Sequence, residues 1–291
     1  MADRPVPASS PTGSSAAAPE LFDHALLQAR QHRAERLGAA TFLLERVSED
    51  AMERLGAVVR SFAAVADIGS PGAAVGDALR ARFDDVTRVD LLGRVREDLA
   101  LAPQSLDLAV SALALHFAND LPGVLAQVRR ALRPDGLLLA ALLGGDTLTE
   151  LRQAFAAAET EVEGGLSPRV APFADLRDLG ALLQRAGFAL PVADVDRIVV
   201  RYDNAFALMQ DLRRMGATNV LRERRRTPLR RATLLRMAQV YGERFADADG
   251  RIRATFDVVW LSGWTPHDSQ QKPLKPGSAT HSLAEAVKRR E

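Results

Sequence analysis

Apolar positions along this chain follow two rhythms. Between residues 22 and 55 they recur at helical spacing, with a break at Gly38-Ala39-Ala40-Thr41, which predicts two helices. Ser48, with Glu49 and Asp50 behind it, reads as a helix start. Short apolar runs then alternate with helical stretches. Residues 63–68 predict a first strand, 74–83 a helix, 86–91 a second strand, 106–112 a further strand and 121–132 a helix. Arg133-Pro134-Asp135-Gly136 predicts a turn, because Pro presets one dihedral and Gly permits the other. The apolar run 137–143 reads as a buried parallel strand, and 148–158 as the helix after it. Such alternation builds an α/β fold with a parallel sheet covered by helices.

The rhythm then changes. Residues 175–186 predict a helix ending at Gly187, 194–202 a β-branched strand, 205–215 and 227–245 two helices, and 253–262 a last strand centred on Val258-Val259-Trp260. A strand, two helices and a final strand suggest a helical cap inserted at the end of a sheet. The expected organisation is a disordered tail over 1–20, N-terminal helices over 21–60, the core over 61–202, the cap over 203–252, the last core strand over 253–265 and a C-terminal tail over 266–291. The first tail is rich in Ala, Pro and Ser and lacks the apolar centre of a signal peptide.

Composition narrows the classes. The 291 residues, 47% hydrophobic, supply the core of one large domain or of one domain with a smaller cap. The net charge of +1 gives no global field for nucleic acid. Cysteine is absent, which excludes disulfides, thiolate metal sites and cysteine nucleophiles. No apolar run reaches the ~18 residues of a membrane-spanning helix. Arg222, Arg224, Arg225, Arg226, Arg230 and Arg231 surround Pro228. They read either as solvated helix ends or as a grip on an acidic partner or membrane surface. They lack the aromatic interleaving that single-stranded nucleic acid calls for.

Candidate chemistry gathers at predicted strand ends. Gly144-Gly145-Asp146-Thr147 forms a strand-to-helix turn at the sheet edge where open α/β folds bind ligands. Its plainer reading is a turn in which Asp146 or Thr147 caps the next helix. Asp67-Ile68-Gly69-Ser70-Pro71-Gly72-Ala73 is a glycine-bearing loop after the first strand, and Asp90 ends the second. His116, just past the strand over 106–112, reads as a general base, a substrate-orienting group or a core histidine. Asn119 and Asp120 read as helix caps, with contact to a cationic substrate the alternative for Asp120. Asp146, His267 and Asp268 together would make a carboxylate and imidazole cluster suited to a guanidinium. Close metal-ligand spacing is absent from the sequence, so no metal is expected.

Longer segments carry a resemblance. They are Leu21-Phe22-Asp23, Leu115 through Pro122, Gly144 through Leu148, Ala158-Glu159-Thr160-Glu161, Gly164 through Pro168, Asp178-Leu179-Gly180, Arg185 through Phe188, Met215-Gly216-Ala217-Thr218-Asn219, Gly263-Trp264, His267 through Gln270, and Gly277-Ser278-Ala279. With them the chain resembles the class I S-adenosylmethionine-dependent methyltransferases. More closely, it is similar to the arginine-hydroxylase assembly factors of respiratory complex I and their bacterial relatives.

The resemblance implies a three-layer, Rossmann-like sandwich around a seven-stranded sheet of order 3-2-1-4-5-7-6, with the last strand antiparallel. It implies S-adenosylmethionine as cofactor, held by Asp67, Gly69, Ser70, Gly72 and Asp90, with Glu97 or Asp98 facing the adenine. It also implies His116 and Asp146 as catalytic residues and Asp120, Gly145, His267 and Asp268 as substrate contacts, converging on one cleft. Pro71 and Ala73 stand where the family carries further glycines. Only about 15 residues separate Asp90 from Leu106, too few for a full crossover helix and another strand.

Two functional classes follow. One is an enzyme acting on a protein substrate, an arginine of a respiratory complex I subunit, by methyl transfer or hydroxylation. The other is a non-catalytic assembly protein that has lost its cofactor. A methyltransferase for a small carboxylic acid or acyl thioester shares the fold. The implied location is the bacterial cytoplasm, with room for peripheral contact at the inner membrane, or the mitochondrial matrix in a eukaryote.

Overall fold

The computed structural model describes residues 20–92 and 97–271; the predicted tails lie largely outside them. Two helices lead, α1 (His24–Arg36) and α2 (Phe42–Gly56). The Asp23 side chain caps α1 by accepting from the Leu26 N–H at 3.0 Å. Helix α2 buries Leu43, Leu44, Val47, Ala51 and Leu55 along one stripe. Ser48 is not a helix start: it lies buried in the middle of α2, its hydroxyl 3.5 Å from the Ala74 carbonyl. The apolar stripe runs through the local start signal, so tertiary packing decides.

The core follows as β1 (Ala64–Ile68), α3 (Ala74–Arg80), β2 (Asp85–Val89), β3 (Leu106–Ala112), α4 (Leu121–Ala131), β4 (Leu132–Leu143), α5 (Thr149–Glu163), α6 (Leu176–Arg185), β5 (Ala189–Tyr202), α7 (Ala205–Arg214), α8 (Arg231–Phe245) and β6 (Ile252–Trp264). Among the described residues the sheet has six strands, ordered β2-β1-β3-β4-β6-β5. The seven strands expected are therefore not found. Residues 98–105 form no strand, and 93–96 lie outside the described residues. The stretch after Asp90 is too short to hold a crossover and a strand together.

Strands β1 to β4 are parallel, and β6 runs antiparallel between β4 and β5. The predicted turn at 133–136 is absorbed as a bulge inside β4. The register jumps from Leu106–Leu132 to Leu108–Leu137, and Asp135 takes a positive φ of 61°.

Two apolar cores sandwich the sheet. Residues of α2, α3, α5, α7 and α8 fill one side, and residues of α4 and α6 fill the other. Each fully buried leucine adds roughly 1.5–3 kcal/mol. The predicted cap helices α7 and α8 share the first core, through Leu208, Leu212, Met237, Val240 and Tyr241. Among the described residues no helix is long and apolar enough to cross a membrane.

Candidate functional site

A cavity of about 840 Å³ opens at the carboxyl ends of β1 to β4. Its floor is the turn after β1. Gly69 has φ +69°, and a Cβ there would meet the Leu91 Cβ at 2.7 Å, so only glycine fits. The Gly69 N–H donates to the Val89 carbonyl at 2.8 Å, tying the turn to β2. Ser70 is buried, and its hydroxyl accepts from the Ala112 N–H at 2.9 Å. Arg88 donates to the Ser70 carbonyl at 2.8 Å and to the Gly72 carbonyl, which holds the loop folded. Gly69, Ser70, Pro71, Gly72 and Asp90 all line the cavity. Asp90 is exposed, with one carboxylate oxygen accepting from the Leu92 N–H at 2.9 Å. Asp67 lies beneath the loop, 1% exposed, with neither carboxylate oxygen partnered. Burial pushes its pKa above the usual carboxylate value.

His116 lines the same cavity from a single turn of 3-10 helix, Leu115–Phe117. Its ring centroid lies 4.1 Å from that of Phe117 and 5.9 Å from that of Phe173. Nδ1 accepts a long bond, 3.5 Å, from the Leu143 N–H. Burial pushes its pKa down to about 3. The ring is half-buried, and an imidazole held toward its neutral form suits orienting a substrate better than taking up a proton.

The other expected site residues lie elsewhere. Glu97 is buried and faces the start of α4, where its carboxylate accepts from the Asn119 N–H at 2.6 Å and the Asp120 N–H at 2.9 Å. It satisfies helix-end donors and does not line the cavity. Asp98 is exposed away from the cavity and bonds the Ala100 N–H at 3.0 Å. Asp120 caps α4 through the Gly123 N–H at 2.9 Å, as its plainer reading had it. Asn119 does not cap. Its oxygen accepts from the Phe22 N–H at 2.7 Å, and its amide donates to the Phe22 carbonyl at 3.2 Å.

Asp146 does not face His116. It pairs with Arg197 on β5 at 2.6 Å, and Arg197 also grips Asp257 on β6 at 2.8 Å. Neither Asp146 nor Thr147 caps α5: Leu148 occupies the cap position at φ 54°, with no side-chain cap bond. Thr147 instead receives the Asp257 N–H at 3.1 Å and anchors the turn to β6. A Cβ added at Gly145 would meet no atom within 4 Å, and the residue stands outside the cavity.

His267 and Asp268 sit at the other edge of the sheet. Antiparallel pairing sets Val258 against Leu143 and Trp264 against Leu137, so the chain beyond Trp264 leaves beside the start of β4. About 20 Å of strand then separates His267 from Asp146. His267 bonds its neighbour Ser269 at 2.7 Å. The expected single cleft of His116, Asp146 and His267 does not exist.

The cavity's far wall carries residues that motif reasoning left without a role. Gln31 and Glu35 of α1, Met209 and Leu212 of α7, and Met215, Gly216 and Asn219 line it. Gly216 has φ +72°, and a Cβ there would crowd Gln31 at 3.1 Å. The Asn219 amide donates to the Pro168 carbonyl at 2.6 Å. Buried Glu159 accepts from the Ser167 N–H and from Arg169 Nε, both at 2.7 Å. Phe22 pairs with Leu221. Of the segments that carry the sequence resemblance, those at His116-Phe117, Leu148 and Met215 to Asn219 line the cavity. The signal was visible as segments, while its placement over the cavity depended on the tertiary fold.

Similarity to known proteins runs through these same parts. Residues 66–140 match a family described as a methyltransferase domain. The Danio rerio protein named arginine-hydroxylase NDUFAF5, mitochondrial, is 36% identical over 265 residues, covering 85% of this chain and 82% of that protein. The chain belongs to the S-adenosylmethionine-dependent methyltransferase family. A malonyl-[acyl-carrier protein] O-methyltransferase of Laribacter hongkongensis is 38% identical over 268 residues, covering 82% of this chain and 88% of that one. The crystal structure of the Bacillus subtilis YcgJ protein matches with a TM-score of 0.51 at 14% identity, over 76% of this chain and 99% of that chain, a likeness of fold alone.

For a methyltransferase of this family the cofactor is S-adenosylmethionine, and the residues present fit it. The Gly69 cradle would be filled by any Cβ, the exposed Asp90 carboxylate has one oxygen bonded to the Leu92 N–H and the other open to the cavity side, and Val89, Leu92 and Leu113 supply apolar surface beside it. Pro71 withholds one backbone donor, and Arg88 holds the loop's shape where further glycines are missing.

Proposed function

We propose that this methyltransferase-family enzyme modifies an arginine side chain of a respiratory complex I subunit while the complex is being assembled. The observation carrying this reading is that two of the family-like segments, at His116-Phe117 and Met215 to Asn219, line one cavity with the Gly69 loop, while Asn219 ties Pro168 to that wall. Gly69, Ser70, Gly72 and Asp90 would hold the cofactor, the Asp90 carboxylate being suited to accept from its ribose hydroxyls. When bound, the cofactor supplies an electrophilic methyl group. Asp67 lies buried beneath the loop and does not line the cavity.

His116 contributes a neutral imidazole that fixes the orientation of whatever reaches the cavity, so rate is gained by positioning. With Asp90 given to the ribose, Glu35 is the carboxylate lining the cavity that suits an approaching guanidinium. The enzyme works where complex I is assembled, in the cytoplasm beside the inner membrane of a bacterium or in the mitochondrial matrix.

Mass spectrometry of complex I subunits from a deletion strain tests this. An arginine lighter by one oxygen than in the parent supports hydroxylation, and one lighter by a methyl group supports methyl transfer. Rescue is expected from the wild-type gene and not from Asp90→Ala. Unchanged subunit masses together with normal complex I levels would overturn the reading.

A further inference from the structure

Helix α1 is built the wrong way round for a surface helix. The side turned to solvent carries Ala25 and Ala29, both exposed, while the side lining the cavity carries Gln28, Gln31, His32 and Glu35. Gln31, His32 and Glu35 follow Gln28 by three, four and seven residues, which sets all four on one face, beside the core face of Leu27 and Ala34. A helix packed for stability alone turns its amides to water and its small apolar residues inward. Among the described residues none of these four side chains has a hydrogen bond or ion pair. His24, one turn earlier on the same face, shows the contrast: its Nε2 lies 2.8 Å from the Phe117 carbonyl.

Burial is graded along this face. Glu35 and His32 are exposed at the rim, and Gln31 and Gln28 are half-buried further in. The helix is fastened at both ends. The Asp23 N–H donates to the Val220 carbonyl at 2.9 Å, the Ala40 N–H to the Arg214 carbonyl at 3.1 Å, and Arg214 Nε to the Gly38 carbonyl at 2.7 Å. The half of the cavity that α5, α7 and β6 form is apolar, at Leu151, Phe155, Leu212 and Phe256, and offers the amides no partner.

A carboxamide carries an acceptor beside a donor, the complement of a peptide group. From Gln28 to Glu35 the helix climbs about 10 Å, the length of about three residues of extended chain. A folded protein surface reaches Glu35 and His32 at the rim. Only a single extended chain reaches Gln31 and Gln28 inside.

We propose that this face of α1 is a main-chain ladder for an extended peptide, in which the Gln28 and Gln31 carboxamides each pair with a peptide group of the substrate. The inference rests on the reading of a protein substrate and gives that substrate its form, an unfolded segment rather than a folded surface.

Calorimetric titration of the full chain compares a blocked heptapeptide, arginine at its centre and alanine elsewhere, with N-acetylarginine N-methylamide. The heptapeptide is expected to bind at least about tenfold tighter, since it alone supplies peptide groups to both glutamines. N-methylation of the backbone nitrogens flanking the arginine should remove that advantage. Loss of each amide should cost about fivefold, so Gln28→Ala with Gln31→Ala should weaken the heptapeptide about twentyfold. The same double variant should hold S-adenosylmethionine and the single-residue compound within about twofold of the wild type. A heptapeptide that does not bind, that binds no tighter than the single-residue compound, or that ignores the double substitution overturns the ladder. A parallel loss of S-adenosylmethionine affinity would give the amides to the cofactor and overturn it too. Should the double variant fail to fold, the N-methylated peptides on the wild-type chain decide alone. A norleucine-centred heptapeptide that matches the arginine one, with the N-methyl effect intact, would sink the arginine reading and leave the ladder standing.

Discussion

Gly69→Ala should injure both stability and cofactor binding, and the structure sets the size of the effect. The residue sits at φ +69°, where a side chain costs roughly 1–2 kcal/mol. The new Cβ would lie 2.7 Å from the Leu91 Cβ and 3.5 Å from the Ala114 Cβ. Leu91 is fully buried and cannot swing away, so overpacking adds about 1–3 kcal/mol. The total, about 2–5 kcal/mol, is a large share of the roughly 5–15 kcal/mol that holds a domain together. Relief must come from the backbone around Leu91, and that backbone carries Asp90. S-adenosylmethionine affinity should therefore fall at least tenfold even where the variant is folded. Urea denaturation followed by circular dichroism gives the first quantity, and calorimetric titration gives the second. Gly145→Ala is the control, because no atom lies within 4 Å of the Cβ it would add, and its change should stay within about 0.5 kcal/mol. A loss below about 1 kcal/mol for Gly69→Ala, or equal losses for the two variants, would refute the reasoning.

Other outcomes rest on the same geometry. Asp67→Asn should stabilise the protein at neutral pH. Burial raises the carboxyl's folded-state pKa, so the wild type loses stability as pH rises through that pKa; denaturation midpoints across pH check this. His116 has the opposite sign: its folded pKa is depressed to about 3, so its share of stability is present above about pH 6.5 and lost as pH falls from there toward 3. His116→Gln should flatten that slope in the same measurement. Asp146→Asn should alter denaturation midpoint and turnover little, because its pair with Arg197 is 62% exposed on the Asp146 side and Asp257 keeps Arg197 in place. Glu97→Gln should cost about 1–3 kcal/mol in urea denaturation by weakening two bonds to backbone donors at a helix start.

What could be read from the chain differs by kind of signal. Strand 137–143 was plain because it is an unbroken apolar run, and 106–112 because it is mostly apolar with only Asp107 and Ser111 between. The turn at Gly69 and the position of Asp90 at the cavity were legible because a positive-φ glycine and a strand-end carboxylate are local features. Glu97 was misread because a buried cap partner, brought from 22 residues away, looks in sequence like any surface acid. Ser48 was misread because a polar residue inside an amphipathic stripe mimics a helix start. His267 and Asp146 were joined by motif likeness alone. The antiparallel course of β6, itself predicted, already sends residue 267 to the opposite edge from residue 146. The apolar half of the cavity could not be seen, because α5, α7 and β6 contribute to it from positions far apart in the chain.

Titration calorimetry of the purified full chain with S-adenosylmethionine tests most directly whether the cavity is a working cofactor site. One site of micromolar Kd is expected, weakened at least tenfold in Asp90→Ala with the denaturation midpoint unmoved. A folded wild-type chain that takes up no S-adenosylmethionine at millimolar concentration, or an Asp90→Ala variant that binds it as tightly as the wild type, would contradict the assignment of the cavity.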